Sequence, residues 1–338
     1  MDPVATVLAR EFPERRVAAT ARVPKGNHKR TAVATFADGG EVVVQTAGDA
    51  AALALEAALS RAVRERTSIP VPRVLASGAL DGVGYVVAER ADGDELHERF
   101  VSLDSVAQRR VARSFGVGLG QLHEQFSFDG YGRLVGSARD GQRADGGEAA
   151  AGGAAFESET ATDREFDAAI DAASADDGDW EPWFSAYARE GIAALPPAFD
   201  GLRERLEDAV ATASLPANPP ARLYPWDFRP GNALVADGRV TAVLDWGQPM
   251  AAAPGLAVAK VEHLVADWYV EDGAPLRRAF RAGYESVRPL PAVPRAYRVA
   301  AVVRSAVDSA GEVTRPGYPE RTGSAAVDFH RARLDALL

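Results

Sequence analysis

The stretch LYPWDFRPGNALVADGRVTAVLDWG, from Leu223 to Gly247, restricts this chain more than any other. Asp237-Gly238 is a two-residue turn between the runs ALVA and RVTAVL, which predicts a tight β-hairpin. Pairing outward from the turn sets Ala236 opposite Arg239 and Asn232 opposite Val243. Asp245 follows shortly after Val243, so its carboxylate falls within roughly 7 Å of the Asn232 side chain. One small scaffold thus delivers an amide oxygen and a carboxylate to the same point. Such oxygen donors suit Mg2+, which takes only one or two protein groups beside phosphate oxygens and water. Asp227 lies five positions before Asn232, on a loop sharpened by Pro230-Gly231. From there it can face the same point and accept a proton from an attacking hydroxyl.

The rest of the chain is consistent with a large soluble enzyme. At 338 residues and 47% apolar content it is long enough for a substantial core and two lobes. No run reaches the length that crosses a bilayer, and MDPVATVLAREFPERR has early acids without the apolar stretch of a secretory signal. A net charge of −10 argues against nonspecific nucleic-acid binding. The absence of cysteine excludes a disulfide framework, a thiolate nucleophile and a Cys-based zinc site. These features predict a cytoplasmic protein with neither nucleic acid nor membrane as a partner. Oligomeric state is open. Of the 38 basic residues only Lys25, Lys29 and Lys260 are lysines.

The first ninety-odd residues read as strands with one helix. TAVATFADGGEVVVQTA is a strand pair joined at Asp38-Gly39-Gly40, and Ala50–Arg66 is a helix with Leu55, Leu59, Ala62 and Val63 on one face. IPVPRVLASG is extended because its prolines exclude helix, and VGYVVAER is a further strand. Ala91–Asp94 is a polar, turn-like hinge. From Leu96 the pattern turns helical, with Val111, Phe115, Leu119 and Leu122 on one stripe. About 136–179 is an acidic, low-complexity insertion, read as mobile. The expected organisation is an N-terminal nucleotide-binding lobe over 1–92 and a C-terminal catalytic and substrate lobe over 93–338.

The spacing Asp-x-x-x-x-Asn, followed by a hairpin and Asp245-Trp246-Gly247, matches the catalytic loop and metal-binding segment of protein-kinase-like enzymes. The wording DFRPGNALVADGRVTAVLDW resembles the aminoglycoside phosphotransferase and choline kinase group of small-molecule kinases. That resemblance implies an α+β, protein-kinase-like bilobal fold, with a small antiparallel-sheet N-lobe carrying one main helix and a larger, mainly helical C-lobe. It implies ATP and Mg2+ as cofactors and a small-molecule hydroxyl as acceptor. In the same terms Asp227 is the catalytic base, and Asn232 and Asp245 hold the metal. Arg22–Phe36 resembles the nucleotide-covering hairpin, with Lys25, Gly26 and Asn27 at its tip. Gln45 stands at the strand position that grips phosphates, Glu56 where the family has its ion-pair glutamate, and Glu89 and Ala91 where the strand meets the hinge.

The chain departs from the family pattern at four places. Pro225-Trp226 replaces His-Gly before Asp227. Gln45 replaces the phosphate-gripping lysine and brings no charge. Ala253 and Ala257 stand where acids are expected downstream, and the covering loop has only Gly26. The lost His and Asp would have braced the catalytic loop from both sides, and packing by Trp226 is the expected replacement. Lys25, Lys29 and Arg30 are either a solvated basic turn or a substitute charge above the phosphates. Glu56 either pairs with another cation or is a plain helix residue. His123 reads as a packed helix residue, while Glu262 and His263 are candidates to border the acceptor. Two activities remain open: a working small-molecule kinase, or a pseudokinase-like nucleotide-binding or regulatory module.

Overall fold

The computed structural model describes residues 2–24, 29–135, 174–176, 178–308, 310–313 and 323–338. It opens on a helix that the sequence patterning did not single out, α1 (Pro3–Glu11), started by the Asp2 side chain accepting from the Val4 N–H and by Pro3 in the first turn. The strands β1 (Val17–Val23), β2 (Arg30–Phe36) and β3 (Glu41–Ala47) follow. Next come the helix α2 (Ala50–Arg66) and the strands β4 (Val74–Leu80) and β5 (Val83–Glu89). The five strands form one antiparallel sheet in the order β1-β2-β3-β5-β4. Strand alternation divides its faces. Ala32, Ala34, Val42 and Val44 point to one side and pack with Val4, Val7 and Leu8 of α1. On the other side α2 sets Leu53 and Ala57 against Val86, with Ala47 and Val74 at the margin.

Beyond the hinge the chain is mainly helical, as expected. The short strand β6 (Asp94–Glu95) leads into α3 (Leu96–Arg99) and the long α4 (Ser105–Gln125), whose first turn is capped by Asp104. Then come β7 (Ser127–Phe128), β8 (Tyr131–Val135), β9 (Ser174–Asp176), α5 (Trp180–Ala194), α6 (Asp200–Ala211) and β10 (Ala221–Tyr224). The hairpin strands are β11 (Ala233–Ala236) and β12 (Arg239–Val243), followed by β13 (Met250–Ala252). Helices α7 (Pro254–Ala266), α8 (Ala274–Glu285), α9 (Arg295–Val303) and α10 (Ser324–Asp335) complete the described chain. Val111, Phe115, Leu119 and Leu122 of α4 are all buried, as their spacing predicts. Gly116 and Gly283 let α4 and α8 approach closely, since a Cβ at either would collide with a carbonyl oxygen of the opposite helix.

The C-terminal part also holds a sheet that short, irregular strands had hidden, in the order β7-β10-β13-β8-β9. A third, smaller sheet, β12-β11-β6, joins the hairpin to the hinge. Asp94 and Glu95 are thus not merely turn-like; they pair with Val235 and Leu234. The acidic stretch expected over about 136–179 lies mostly outside the described residues, and Ser174–Asp176 within it pairs with β8.

Candidate active site

β11 and β12 meet at Asp237 and Gly238, both at positive φ (51° and 65°), as a two-residue hairpin turn requires. The register expected from the turn holds for its first rungs, Ala236 with Arg239 and Val235 with Val240. A bulge then inserts Thr241, so Leu234 faces Ala242 and Ala233 faces Val243. Asn232 therefore lies opposite Leu244 and not Val243, and the Leu244 N–H donates to the Asn232 carbonyl at 2.8 Å. The inserted residue has a local tie, because Thr241 Oγ1 donates to the Asp92 carbonyl at 2.8 Å. The bulge brings Asn232 one residue nearer to Asp245 than regular pairing would.

Asp245 sits at φ 60°, a conformation uncommon outside glycine, and its side chain is half exposed. The Asn232 amide N–H donates to the Asp227 carbonyl at 3.1 Å, which leaves the amide oxygen as the atom available to a cation. The Asp227 carboxylate is 3.4 Å from Arg229 Nε. Asp227 and Asp245 line the same narrow crevice, together with Leu59, Trp226, Phe228 and Trp246. The hairpin is anchored toward the N-terminal sheet by the Val243 N–H, which donates to the Pro70 carbonyl at 2.7 Å. Among the described residues no group of three or more His, Cys, Asp or Glu side chains is arranged to hold a metal ion by itself. The amide and carboxylate oxygens of Asn232 and Asp245 match the short protein ligand list of Mg2+ and not the nitrogen and sulfur set of structural zinc.

A lysine from just before β2 reaches Glu56 and Asp245. Lys29, at the foot of β2, places Nζ 2.6 and 2.8 Å from the two carboxylate oxygens of Glu56 and 2.8 Å from Asp245 Oδ1. Burial by itself would lower the Lys29 pKa, but Glu56 and Asp245 outweigh it and hold the ammonium above its ordinary value. Glu56, mid-helix in α2, is only 8% exposed. Burial raises its carboxyl, with Lys29 pulling the other way. Gly247 sits against this cluster, where a Cβ would come 3.0 Å from Glu56 Oε2. Of the open readings, Glu56 is thus paired, and Lys29 is not a solvated turn residue. Gln45 is half-buried in β3, opposite Thr31 of β2 and Val86 of β5. Glu89 closes β5 and pairs with Arg73 Nε at 3.0 Å, with half-buried Ala91 just beyond. Lys25, Gly26 and Asn27 lie outside the described residues.

The loop before Asp227 is packed from α7 and from neighbouring aromatic rings. Trp226 is half-buried against the core, edge-on to Tyr187 and Tyr224. Ala257 lies buried in α7, and one turn later Lys260, 2% exposed, sets Nζ 3.3 Å from the Trp226 ring centroid. A lysine thus packs over the indole of the loop that carries Asp227. Sequence reading passed over Lys260, although a lone lysine in the apolar run PGLAVAKVEHLVA was a signal. Burial, with Arg304 and Arg229 adding to it and Asp227 opposing, pulls the Lys260 pKa down to about 7. Glu262 is buried and bound by Arg281 Nη2 at 2.8 Å and Arg298 Nη1 at 3.0 Å, and His263 packs with Asp267 and Trp268, so both serve the helical core. His123 is likewise buried, with Nδ1 2.7 Å from the Tyr284 hydroxyl.

The fold has known counterparts. No curated protein sequence matches the chain significantly. Among solved structures, the aminoglycoside phosphotransferase APH(4)-Ia superposes with a TM-score of 0.63 at 16% identity, covering 99% of this chain and 97% of its own. A thermostable mutant of that enzyme, solved as a ternary complex with AMP-PNP and hygromycin B, gives a TM-score of 0.63 at 16% identity, covering 100% and 98%. The macrolide 2'-phosphotransferase MphH from Brachybacterium faecium gives 0.58 at 18% identity, covering 100% and 98%. A putative fructosamine-3-kinase from Thermobifida fusca gives 0.54 at 19% identity, covering 99% of each chain. At these identities the neighbours establish the protein-kinase-like fold. The profile of the phosphotransferase enzyme family matches residues 20–299, and the chain belongs to that family of small-molecule phosphotransferases.

Proposed function

We propose that this protein transfers the γ-phosphate of ATP, taken as its Mg2+ complex, to a hydroxyl of a small molecule. The observation that carries the reading is that Asp227 and Asp245 line one crevice while the Asn232 amide is tied to the Asp227 carbonyl, with the ion-paired Glu56 alongside. Asp227 orients the acceptor hydroxyl and takes its proton as the oxygen attacks. Asn232 and Asp245 hold the metal through their side-chain oxygens. Mg2+, when bound, neutralises charge on the phosphates. The nucleotide lies between the lobes, which we divide near residue 92, with Gln45 on its phosphate side and Glu89 and Ala91 at its hinge side. Gly93, at φ 132°, marks the division, and a Cβ there would meet Thr241 Oγ1 at 2.6 Å.

The AMP-PNP and ADP complexes of the APH(4)-Ia neighbours support a nucleotide at this site. No described helix is long and apolar enough to cross a membrane, and we place the enzyme in the cytoplasm. The experiment is a coupled screen of ATP consumption across a panel of hydroxyl metabolites, with Asp227→Asn and Asp245→Ala as controls. Acceptor-dependent turnover that both substitutions abolish is expected. Turnover that survives in Asp245→Ala would refute the assignment of that residue. Nucleotide binding without turnover on any acceptor would favour the pseudokinase-like module.

A further inference from the structure

We infer that Lys29 is the phosphate-anchoring lysine of this chain, relocated from the third strand of the sheet to the residue just before the second. The inference rests on the nucleotide reading above and deepens it. Position 45, on β3, holds a glutamine, which can donate a hydrogen bond but carries no charge. Thr31 of β2 lies directly opposite Gln45, and Lys29 stands two residues before Thr31, so Lys29 and Gln45 belong to the same face of the sheet. That face is the one covered by α2, which carries Glu56. A lysine stem reaches about 6 Å, enough to cross the space between neighbouring strands about 4.8 Å apart. The ammonium can therefore reach the region a lysine on β3 would serve, although its Cα lies just before β2.

Three contacts argue that this is a built site. Lys29 Nζ bonds both oxygens of Glu56 at 2.6 and 2.8 Å, which orients the ammonium from one side. It also bonds Asp245 Oδ1 at 2.8 Å, across 216 residues of sequence, which sets it at the metal-side carboxylate. The Lys29 and Glu56 side chains are 19% and 10% exposed, far from the open solvation of a loop lysine. Asp245, by contrast, is 45% exposed, so the contact to it is the one that can be exchanged. With Asp245 engaged by a metal, Lys29 would keep its two bonds to Glu56 and have one donor left for a phosphate oxygen. A point charge with three donors, one carboxylate behind it and one exchangeable partner in front, is suited to a phosphate oxygen.

The test is calorimetric titration with AMP-PNP in the presence of Mg2+, and with adenosine, which lacks phosphates. Wild-type protein that bound neither would overturn the nucleotide reading itself, not the placement of the lysine alone. Given wild-type binding, Lys29→Met is expected to weaken AMP-PNP by about ten- to a hundredfold, the worth of a lost charge-assisted hydrogen bond, and to leave adenosine unchanged. Restoring the strand lysine in Lys29→Met/Gln45→Lys should recover AMP-PNP affinity to within a few-fold of wild type. A mere latch between Glu56 and Asp245 would lower stability without that phosphate dependence. Unchanged AMP-PNP affinity in Lys29→Met, or a folded double variant that recovers nothing, would overturn the inference. Should Lys29→Met not fold, Lys29→Arg keeps the charge and carries the test. It is expected to bind AMP-PNP several-fold more weakly with adenosine unchanged, and equal loss for both ligands would overturn the inference.

Discussion

Replacing Lys260 by methionine should change how the stability of this protein depends on pH. Methionine keeps the length and apolar character of the lysine stem and removes only the ammonium over Trp226. The ammonium is buried on α7, with burial the largest influence, Arg304 and Arg229 repelling it and Asp227 attracting it; its pKa is about 7 against an ordinary 10.5. Between those values the unfolded chain holds a proton that the folded chain has released. Stability therefore rises with pH across this window, and the cost of burying the charge is fully present below pH 7. At about 1.4 kcal/mol per pH unit, wild type should gain roughly 2–3 kcal/mol between pH 6 and pH 9 from this residue. Lys260→Met lacks that gain. At pH 6 it should be the more stable protein, even after losing a cation–π contact worth about 0.5–2 kcal/mol. Urea unfolding at pH 6, 7.5 and 9 measures this directly. Parallel pH slopes for the two proteins would refute the argument, since they would mean that Lys260 keeps its proton throughout or is not buried in solution.

Other perturbations test other parts of the structure. Gly93→Ala meets both a φ of 132° and a 2.6 Å approach to Thr241 Oγ1, and should lower the denaturation midpoint by an amount equivalent to about 1–3 kcal/mol. His123 is buried, and burial followed by the Arg288 and Arg222 charges lowers its pKa to about 3, so it stays neutral in the fold while the unfolded chain protonates below about 6.5. Stability should therefore fall as pH drops from 6.5, by up to about 1.4 kcal/mol per unit, and His123→Gln should flatten that slope in acid urea titrations.

The parts of this molecule legible in its sequence are those fixed by neighbours in the chain. The Asp237-Gly238 turn announces its hairpin because positive φ at both positions demands such residues, and the stripes of α2 and α4 follow from helical period alone. The Thr241 bulge is different. Its tie to Asp92 comes from a distant segment, and no local pattern marks which residue of a strand is unpaired. The sheet of β7, β10, β13, β8 and β9 was hidden because its strands are short and their pairings are non-local. Helix α1 was missed for its brevity, although Asp2-Pro3 is a start signal. For the site, the spacing of Asp227, Asn232 and Asp245 was readable. The ion-pair partner of Glu56 was not, because a lysine on a different strand carries no sequence mark of where its ammonium ends. Lys260 over Trp226 was illegible for the same reason, since only the fold brings α7 beneath the loop before Asp227.

In the proposed function, the hairpin presents a metal-dependent nucleotide site in spite of Gln45 and the altered loop support. Thermal unfolding with AMP-PNP, with and without Mg2+, in wild type and Asp245→Asn, tests it most directly. A ligand that binds the folded state stabilises it by mass action, so AMP-PNP at about a hundred times its Kd should contribute about 2.7 kcal/mol, a rise of several degrees. This rise should require Mg2+ in wild type and disappear in Asp245→Asn. A rise that is the same without Mg2+, or that persists undiminished in Asp245→Asn, would contradict it.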